Sequence, residues 1–518
     1  MRGDRGPHAE GQIGYPRAVI RWSRRLLSAD EPGPGWGRGA WGLYVLFALT
    51  SLVTVMWGRM ILDEGWYIYA GQLVARGRLP YRDFFFPQAP LAALAFAPVS
   101  PWGSHGLWAA RAWCAVMGLV AVALTLRAAG RLAGRTASVW TAVLLMGSYA
   151  FVHGTSTARS YALVALLTAA AFERLASDRG QGREWLVGTA LLSLAVAARP
   201  SMVPMLAVVA AVGLWKWRSR AVWWLAAAFL PGGLAALPFL WLGADGFWFG
   251  VVDFHDSYYG AAMHAHLLRE FGLGLVGEQP AAVILGCLAV VLWGALARRT
   301  RPLTPALRLA GVALLSWIAV LALHATRSAP FAHHQTMFLP LLALGTGLTL
   351  SAWRPSARAL MPAAVWALSA VGTSWGHWAW PPRWNGDGTP ARAAEAAQVI
   401  EQAVAGGPLL SFDPTLAVLS GVPLLDGFEM GVFSYWPRHP HARALGGRNR
   451  DDLRDAVLAA RAPVIALQLA DLKLISQTGG QDILHALARN YRELGRVPRY
   501  GQWLQDLVVF RVRDDRVP

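Results

Sequence analysis

Residues 41–60 read WGLYVLFALTSLVTVMWGRM, and residues 61–70, ILDEGWYIYA, follow without a break. The first stretch is apolar apart from Arg59 and has the length of about 20 residues that an α-helix needs to cross a bilayer. It lies too far from the start, and lacks the small-residue cleavage site, to be a removed signal peptide. It is therefore expected as the first, uncleaved span. The second stretch places Asp63 and Glu64 at the end of that span, followed by Trp66, Tyr67 and Tyr69. Carboxylates are costly near hydrocarbon, which points to function. A plainer reading has Asp63 as the N-cap of an interfacial helix and Glu64 facing water.

Working outward, further apolar runs follow at Leu107–Leu126, Ala137–Val152, Ala158–Leu175, Trp185–Ala198, Ser201–Trp215 and Ala221–Leu242. Then come Pro280–Leu296, Leu309–Leu323, Thr336–Ala352 and Ala359–Trp378, about eleven spans in all. Leu91–Val99 is bracketed by Pro87, Pro90, Pro98 and Pro101 and is too short to cross, so it suits a helix lying in the interface.

Composition agrees: of 518 residues 55% are hydrophobic, only 15% are charged, and 26 are Trp. Such a chain reads as a polytopic membrane protein with interfacial Trp belts. Two cysteines, Cys114 and Cys287, both in apolar runs, exclude a disulfide scaffold. The net charge of +17 falls in short clusters between the runs: Arg127, Arg131 and Arg135; Arg174, Arg179 and Arg183; Lys216, Arg218 and Arg220; Arg298, Arg299 and Arg301. That spacing is the positive-inside signature and not a continuous basic face, so no nucleic-acid partner is expected. Residues 1–40, rich in Arg, Gly and Pro, are expected as a disordered cytoplasmic tail. With the tail inside, every Arg cluster falls on the cytoplasmic side and the Asp-, His- and Trp-rich loops fall outside.

After Trp378 the character changes. Pro381, Pro382 and Gly386 form a linker, and helix-like runs (Ala391–Ala405, Leu453–Ala460, Ile483–Leu494) alternate with strand-like ones (Pro408–Phe412, Val464–Leu467, Leu507–Val512). That alternation predicts a small α/β domain over 391–518, on the extracytoplasmic face of a transmembrane domain over 41–380. Asp413-Pro414 reads as a helix cap after a strand. The expected fold is thus mainly α: a membrane helix bundle with interfacial helices in its first outer loop and a C-terminal extracytoplasmic α/β domain.

The first outer loop carries Asp63-Glu64-Gly65-Trp66-Tyr67-Ile68-Tyr69, then Gly77-Arg78-Leu79-Pro80-Tyr81-Arg82-Asp83-Phe84, then Pro90-Leu91. This pattern resembles the first loop of the GT-C membrane glycosyltransferases, in particular the bacterial protein-mannosyltransferase and aminoarabinose-transferase group, which is glycosyltransferase family 39-like. Ala109-Ala110-Arg111, Ala198-Arg199-Pro200, Ser411-Phe412-Asp413-Pro414 and Asn490-Tyr491 extend the resemblance over most of the chain from Trp41 onward. It implies a polyprenyl-phosphate sugar donor and a catalytic acid in this loop, with Asp63 as the base. Glu64 and Asp83 would orient the acceptor, position a metal or stay structural, and a loop-ordering acid bound to Arg82 or backbone explains Asp83 equally well. Many relatives carry a basic residue just before the proline that opens the second interfacial helix; here Gln88-Ala89 stands there. The donor phosphate must then fall to Arg111, Arg199 or Arg327, with His333 and His334 as further donors. Interfacial anchoring explains Arg327 and its histidines equally well, and Arg159 and Arg199 invite the same two readings.

The loop from Trp248 to His266 holds Asp253, His255, Asp256, Tyr258, Tyr259 and His264, and reads as a substrate-covering loop. Its spacing matches no defined metal motif, so no cofactor is certain and a divalent metal stays open. No glycine-rich phosphate loop precedes a helix in the cytoplasmic segments, which disfavours an ATP-driven pump. The expectation is an inverting glycosyltransferase of the bacterial inner membrane, N-terminus cytoplasmic, acting on a lipid, glycan or protein acceptor outside. Its rivals are a transporter or flippase for lipid-linked glycans and a non-catalytic assembly factor. A transporter usually places ionisable groups near mid-membrane and shows internal repeats, and neither is visible here.

Overall fold

The computed structural model describes residues 36–178, 180–255, 266, 268–269, 280–300, 302–326, 332–353, 386–404 and 406–513. The expected tail before residue 36, the span Ala359–Trp378, its Pro381-Pro382 linker, and Arg179, Asp256, Tyr258, Tyr259, His264, Arg301 and Arg327 lie outside the described residues.

The described chain is mostly helical, with one small sheet. Four of its helical stretches are long and apolar enough to cross a membrane by length and composition: Arg38–Trp57, Ala97–Gly147, Arg218–Leu242 and Pro305–Thr326. Apolar side chains cover their outer faces. Along Ala221–Leu242, for instance, Val222, Phe229 and Trp241 are all exposed. Water would not tolerate a surface so rich in large apolar groups; lipid does. The chain is an integral membrane protein in build.

Several elements differ from the sequence reading. The runs Leu107–Leu126 and Ala137–Val152 lie in two helices within Gly106–Met146, broken where Ala133 and Gly134 leave helical angles, with Gly134 at φ 74°. That left-handed conformation suits glycine, which lacks the Cβ that would clash. The chain folds back there, since Ser138 Oγ donates to Leu126 O (3.1 Å). The second run stops at Met146, and Tyr149–Thr155 forms a separate short helix capped by Ser148. Residues 156–160 then pass through the interior in a buried turn before the helix Tyr161–Ser177 begins. The proline-bracketed stretch becomes two short pieces, Pro90–Leu94 and the 3₁₀ turn Ala97–His105.

The sheet has strand order β1-β2-β4-β3: β1 (Leu409–Ser411), β2 (Val464–Gln468), β3 (Tyr491–Tyr500) and β4 (Gln505–Val512). β1 and β2 pair in parallel, and both are buried along their whole length, as expected of parallel strands covered on two faces. β4 pairs antiparallel with β2 and β3, and the β3–β4 pairing carries register shifts at Glu493/Gly495 and Val497/Tyr500. The expected helix Ile483–Leu494 is shorter: it ends at Asn490 and the chain turns at once into β3. β3 is an edge strand, so Pro498 within it removes no interior ladder bond.

The sheet unit sits directly on the first loop. A Cβ on Gly65 would come within 2.3 Å of the Thr415 backbone nitrogen, so glycine is what lets the helix Asp63–Ala75 approach the helix Thr415–Ser420. Tyr69 Oη accepts a hydrogen bond from Leu424 N (2.9 Å), Arg78 pairs with the buried Glu429 (2.9 Å), and Met60 N donates to Gly388 O (2.8 Å).

Candidate active site

The apolar helix Arg38–Trp57 ends at Gly58, and the next residues turn into a buried electrostatic node. Arg111, fully buried, donates to Glu64 through two bonds of 2.7 Å, Nε to Oε2 and Nη2 to Oε1. Its remaining N–H groups point at the carbonyls that the ended helix leaves over: Thr54 (3.3 Å), Gly58 (3.0 Å) and Arg59 (3.1 Å). Glu64 is equally buried and also accepts from Ile61 N and Ala158 N, both at 3.0 Å. One ion pair thus ties the end of the first span, the start of the helix Asp63–Ala75 and the buried turn at 156–160. A carboxylate with four hydrogen bonds and no exposure fits a scaffold role. Neither Glu64 nor Arg111 lines the cavity beside this node, and the Arg111 N–H groups are taken up by Glu64 and by backbone carbonyls.

That node holds Asp63 at the wall of a cavity of about 950 Å³ between the helical part and the sheet unit. Asp63 is the first helical residue and not its N-cap, a position taken by Leu62 without any side-chain cap. Its Oδ1 accepts from Trp66 Nε1 (3.3 Å), and its Oδ2 stands 4.0 Å from Arg159 Nη1. Its side chain is 27% exposed, whereas that of Arg159 is 2% exposed. The Arg159 guanidinium lies over the Tyr161 ring, 4.5 Å from its centroid, and its Nε has no hydrogen-bond partner among the described residues.

Arg199 approaches the same Tyr161 ring (5.0 Å), and His333 stacks on it with centroids 5.9 Å apart. Arg199 Nη2 lies 3.0 Å from His334 Nε2. A guanidinium only donates, so His334 Nε2 accepts and its proton sits on Nδ1, aimed at His324 Nδ1 (3.3 Å). Burial first, and Arg199 second, hold His334 well below the usual imidazole range. Arg199, His333 and His334 line the cavity, while Arg327 lies outside the described residues.

The other expected positions divide. Asp83 does not line the cavity: it accepts from Arg82 Nε and Nη2 (2.8 Å each) and from Leu79 N (2.7 Å). The Arg82 hydrogen bond leads in pulling its carboxyl below the usual range. These contacts fit the loop-ordering reading of Asp83. Asp253 ends a π-helical turn, Phe249–Asp253, and stays exposed outside the cavity. Its neighbours Val251, Phe254 and His255 do line it, and His255 Nε2 lies 3.0 Å from Pro87 O. Gln88 also lines the cavity, and no cation stands there. Among the described residues no three His, Cys, Asp or Glu side chains gather as a metal site would need.

Some lining residues carry no motif in the sequence: Arg59, His153, His324, Asp471, Gln502 and Trp503. Arg59 donates through Nε to Gln502 O (3.0 Å), and Gln502 Oε1 accepts from Leu62 N (3.0 Å), so the β3–β4 turn is fastened one residue before Asp63. Asp471, buried at the start of the helix Leu469–Gln477, is pushed up to about 7 by burial. The wall thus presents three arginines (Arg59, Arg159 and Arg199) against two carboxylates, the half-buried Asp63 and the buried Asp471. Such a cavity attracts an anion.

The helical part, this first loop and the sheet unit together share their fold with solved membrane-protein structures. The chain is similar in structure to ArnT from Cupriavidus metallidurans bound to undecaprenyl phosphate: TM-score 0.59, 15% identity, over 92% of this chain and 99% of that one. The apo structure of the same ArnT gives 0.57 and 16%, over 91% and 98%. No sequence-family profile matches the chain, and no curated protein matches it in sequence.

Proposed function

We propose that this protein is a membrane glycosyltransferase that moves a sugar from a polyprenyl-phosphate carrier to an envelope lipid, glycan or protein acceptor. The observation that carries the reading is the pairing, on one cavity wall, of the accessible carboxylate of Asp63 with the buried, under-satisfied guanidinium of Arg159 at 4.0 Å. Transfer of a sugar from a lipid phosphate needs both groups: a base for the acceptor hydroxyl proton and a cation for the departing phosphate. The fold shared with an undecaprenyl-phosphate-bound structure supports the same carrier class.

In this mechanism Asp63 takes the acceptor proton while the acceptor oxygen attacks the anomeric carbon from the face opposite the phosphate, inverting it. The carbon–oxygen bond to the phosphate breaks, and the anion forming there is met by Arg159 and Arg199. Tyr161 holds both guanidiniums in place through its ring face. The neutral His334 accepts from Arg199 and so aims it without adding charge.

Arg159→Gln should weaken binding of undecaprenyl phosphate by about 1.5–3 kcal/mol, the worth of a hydrogen bond to a charged group. Titration of detergent-purified protein with the lipid measures this. Unchanged affinity in Arg159→Gln and Arg199→Gln alike would take the phosphate away from this cluster.

The reading also fixes sides. The Arg-rich ends of the helices face the cytoplasm and the cavity faces outward, in the inner membrane of a bacterium. On a background lacking Cys114 and Cys287, a cysteine at Asp426 in the sheet unit should react with an impermeant thiol reagent in intact cells. One at Arg131 should stay protected. The opposite pattern would reverse the topology.

A further inference from the structure

Among the described residues of the sheet unit, 386–404 and 406–513, the large hydrophobic side chains left exposed are Leu458, Leu469, Leu494 and Trp503. Trp503 is the aromatic one. It is 48% exposed, yet it lines the cavity that holds Asp63 and Arg159. An indole held half-open at the wall of this cavity is not filling a core.

Its support is rigid and strained. The turn between β3 and β4 holds Arg499, Gly501 and Leu504 at φ 52°, 65° and 53°. Two of these are not glycine, and such a conformation persists only where surrounding contacts over-determine it, commonly beside a functional site. The contacts are present: Arg499 O accepts from Gly388 N (3.0 Å), Gln502 O from Arg59 Nε, and Gln502 Oε1 from Leu62 N. Every one of them pins the tip, and none pins the Trp503 ring.

We propose that Trp503 is a stacking platform for a sugar ring in this cavity, which makes the sheet unit a specificity element of the active site. The inference rests on the glycosyltransferase reading above and deepens it. A sugar ring has an apolar face of C–H bonds and a polar edge of hydroxyls. The flat indole face suits the first, and the neighbouring Gln502, Asp471 and Asp63 suit the second. The ring is either the donor's or the acceptor's; the chemistry that recognises it is the same.

Saturation-transfer NMR on the full chain in detergent, with methyl α-mannopyranoside, methyl β-galactopyranoside and methyl α-arabinofuranoside as probes, tests this without turnover. At least one probe should receive saturation at its ring C–H protons in the wild type. Trp503→Phe should keep part of the signal, and Trp503→Ala should lose at least about fivefold. Adding a polyprenyl-phosphate mannose removes the signal if the platform holds the donor's ring and spares it if it holds the acceptor's. Equal transfer in wild type and Trp503→Ala, or none from any probe in the wild type, overturns the proposal. Undecaprenyl-phosphate binding, measured separately on Trp503→Ala and Arg159→Gln, tells failure of this platform from failure of the phosphate cluster.

Discussion

Asp63→Asn should leave a folded protein whose sugar transfer is slower by about 10²–10⁴-fold, the usual loss when a general base is removed. Asn keeps the size of the side chain and the oxygen that accepts from Trp66 Nε1, so the local geometry has no reason to change. It loses only proton affinity and charge. The Trp66 bond is also the side-chain hydrogen bond that Asp63 makes, and none runs to a backbone N–H as a cap would require. The charge removed also faces the buried Arg159 at 4.0 Å, so stability should fall by about 1–2 kcal/mol while the protein stays folded. Transfer from a radiolabelled polyprenyl-phosphate sugar measures the rate, and thermal melting in detergent checks the fold. A well-folded variant with near-wild-type turnover would remove Asp63 from the chemistry.

The adjacent carboxylate should behave in the opposite way. Breaking a buried ion pair from one side leaves an uncompensated charge and costs about 3–5 kcal/mol. Glu64→Gln strands the guanidinium of Arg111 in a site with no exposure. Arg111→Gln strands Glu64 and also the carbonyls of Thr54, Gly58 and Arg59 that Arg111 now satisfies. Both variants should melt well below wild type, with the larger drop for Arg111→Gln. What folded protein remains should bind undecaprenyl phosphate with close to normal affinity, since neither side chain lines the cavity. A Glu64→Gln protein that melts like wild type but transfers no sugar would move Glu64 back into the reaction.

These two neighbours show how the motif divides its labour. Asp63 and Glu64 begin one helix, about 100° apart around its axis. One side chain opens to the cavity and the other enters the protein to meet Arg111, and that opposition is a consequence of helical geometry alone. Which of the two faces the cavity is not. It depends on where Arg111 and the turn at Ala158 lie, 47 and 94 residues away in sequence.

From the sequence alone came the membrane build, the positions of most helices, the α/β alternation after residue 390, and the prominence of the first loop, whose Asp63, Trp66 and Tyr67 line the cavity. Each of these is a local preference. Apolar length, charge spacing and turn residues report whether a segment prefers hydrocarbon or water, and that preference is written in consecutive residues. The β3 strand escaped because Ile483–Leu494 keeps an apolar helical pattern through Leu494, while pairing with β4 and edge position decide its outer half.

The tertiary structure alone decided which cations line the cavity. Arg111, Arg159 and Arg199 look alike as isolated arginines beside helix ends. Packing buries the first against Glu64, brings the second and third to the Tyr161 ring, and adds Arg59. The sheet unit's share was equally invisible, since Gln502 meets Leu62 across 440 residues. A side chain's role here follows from the groups that surround it in space. Those groups come from segments whose meeting is fixed by the packing of the whole chain and is recorded in no single stretch of it.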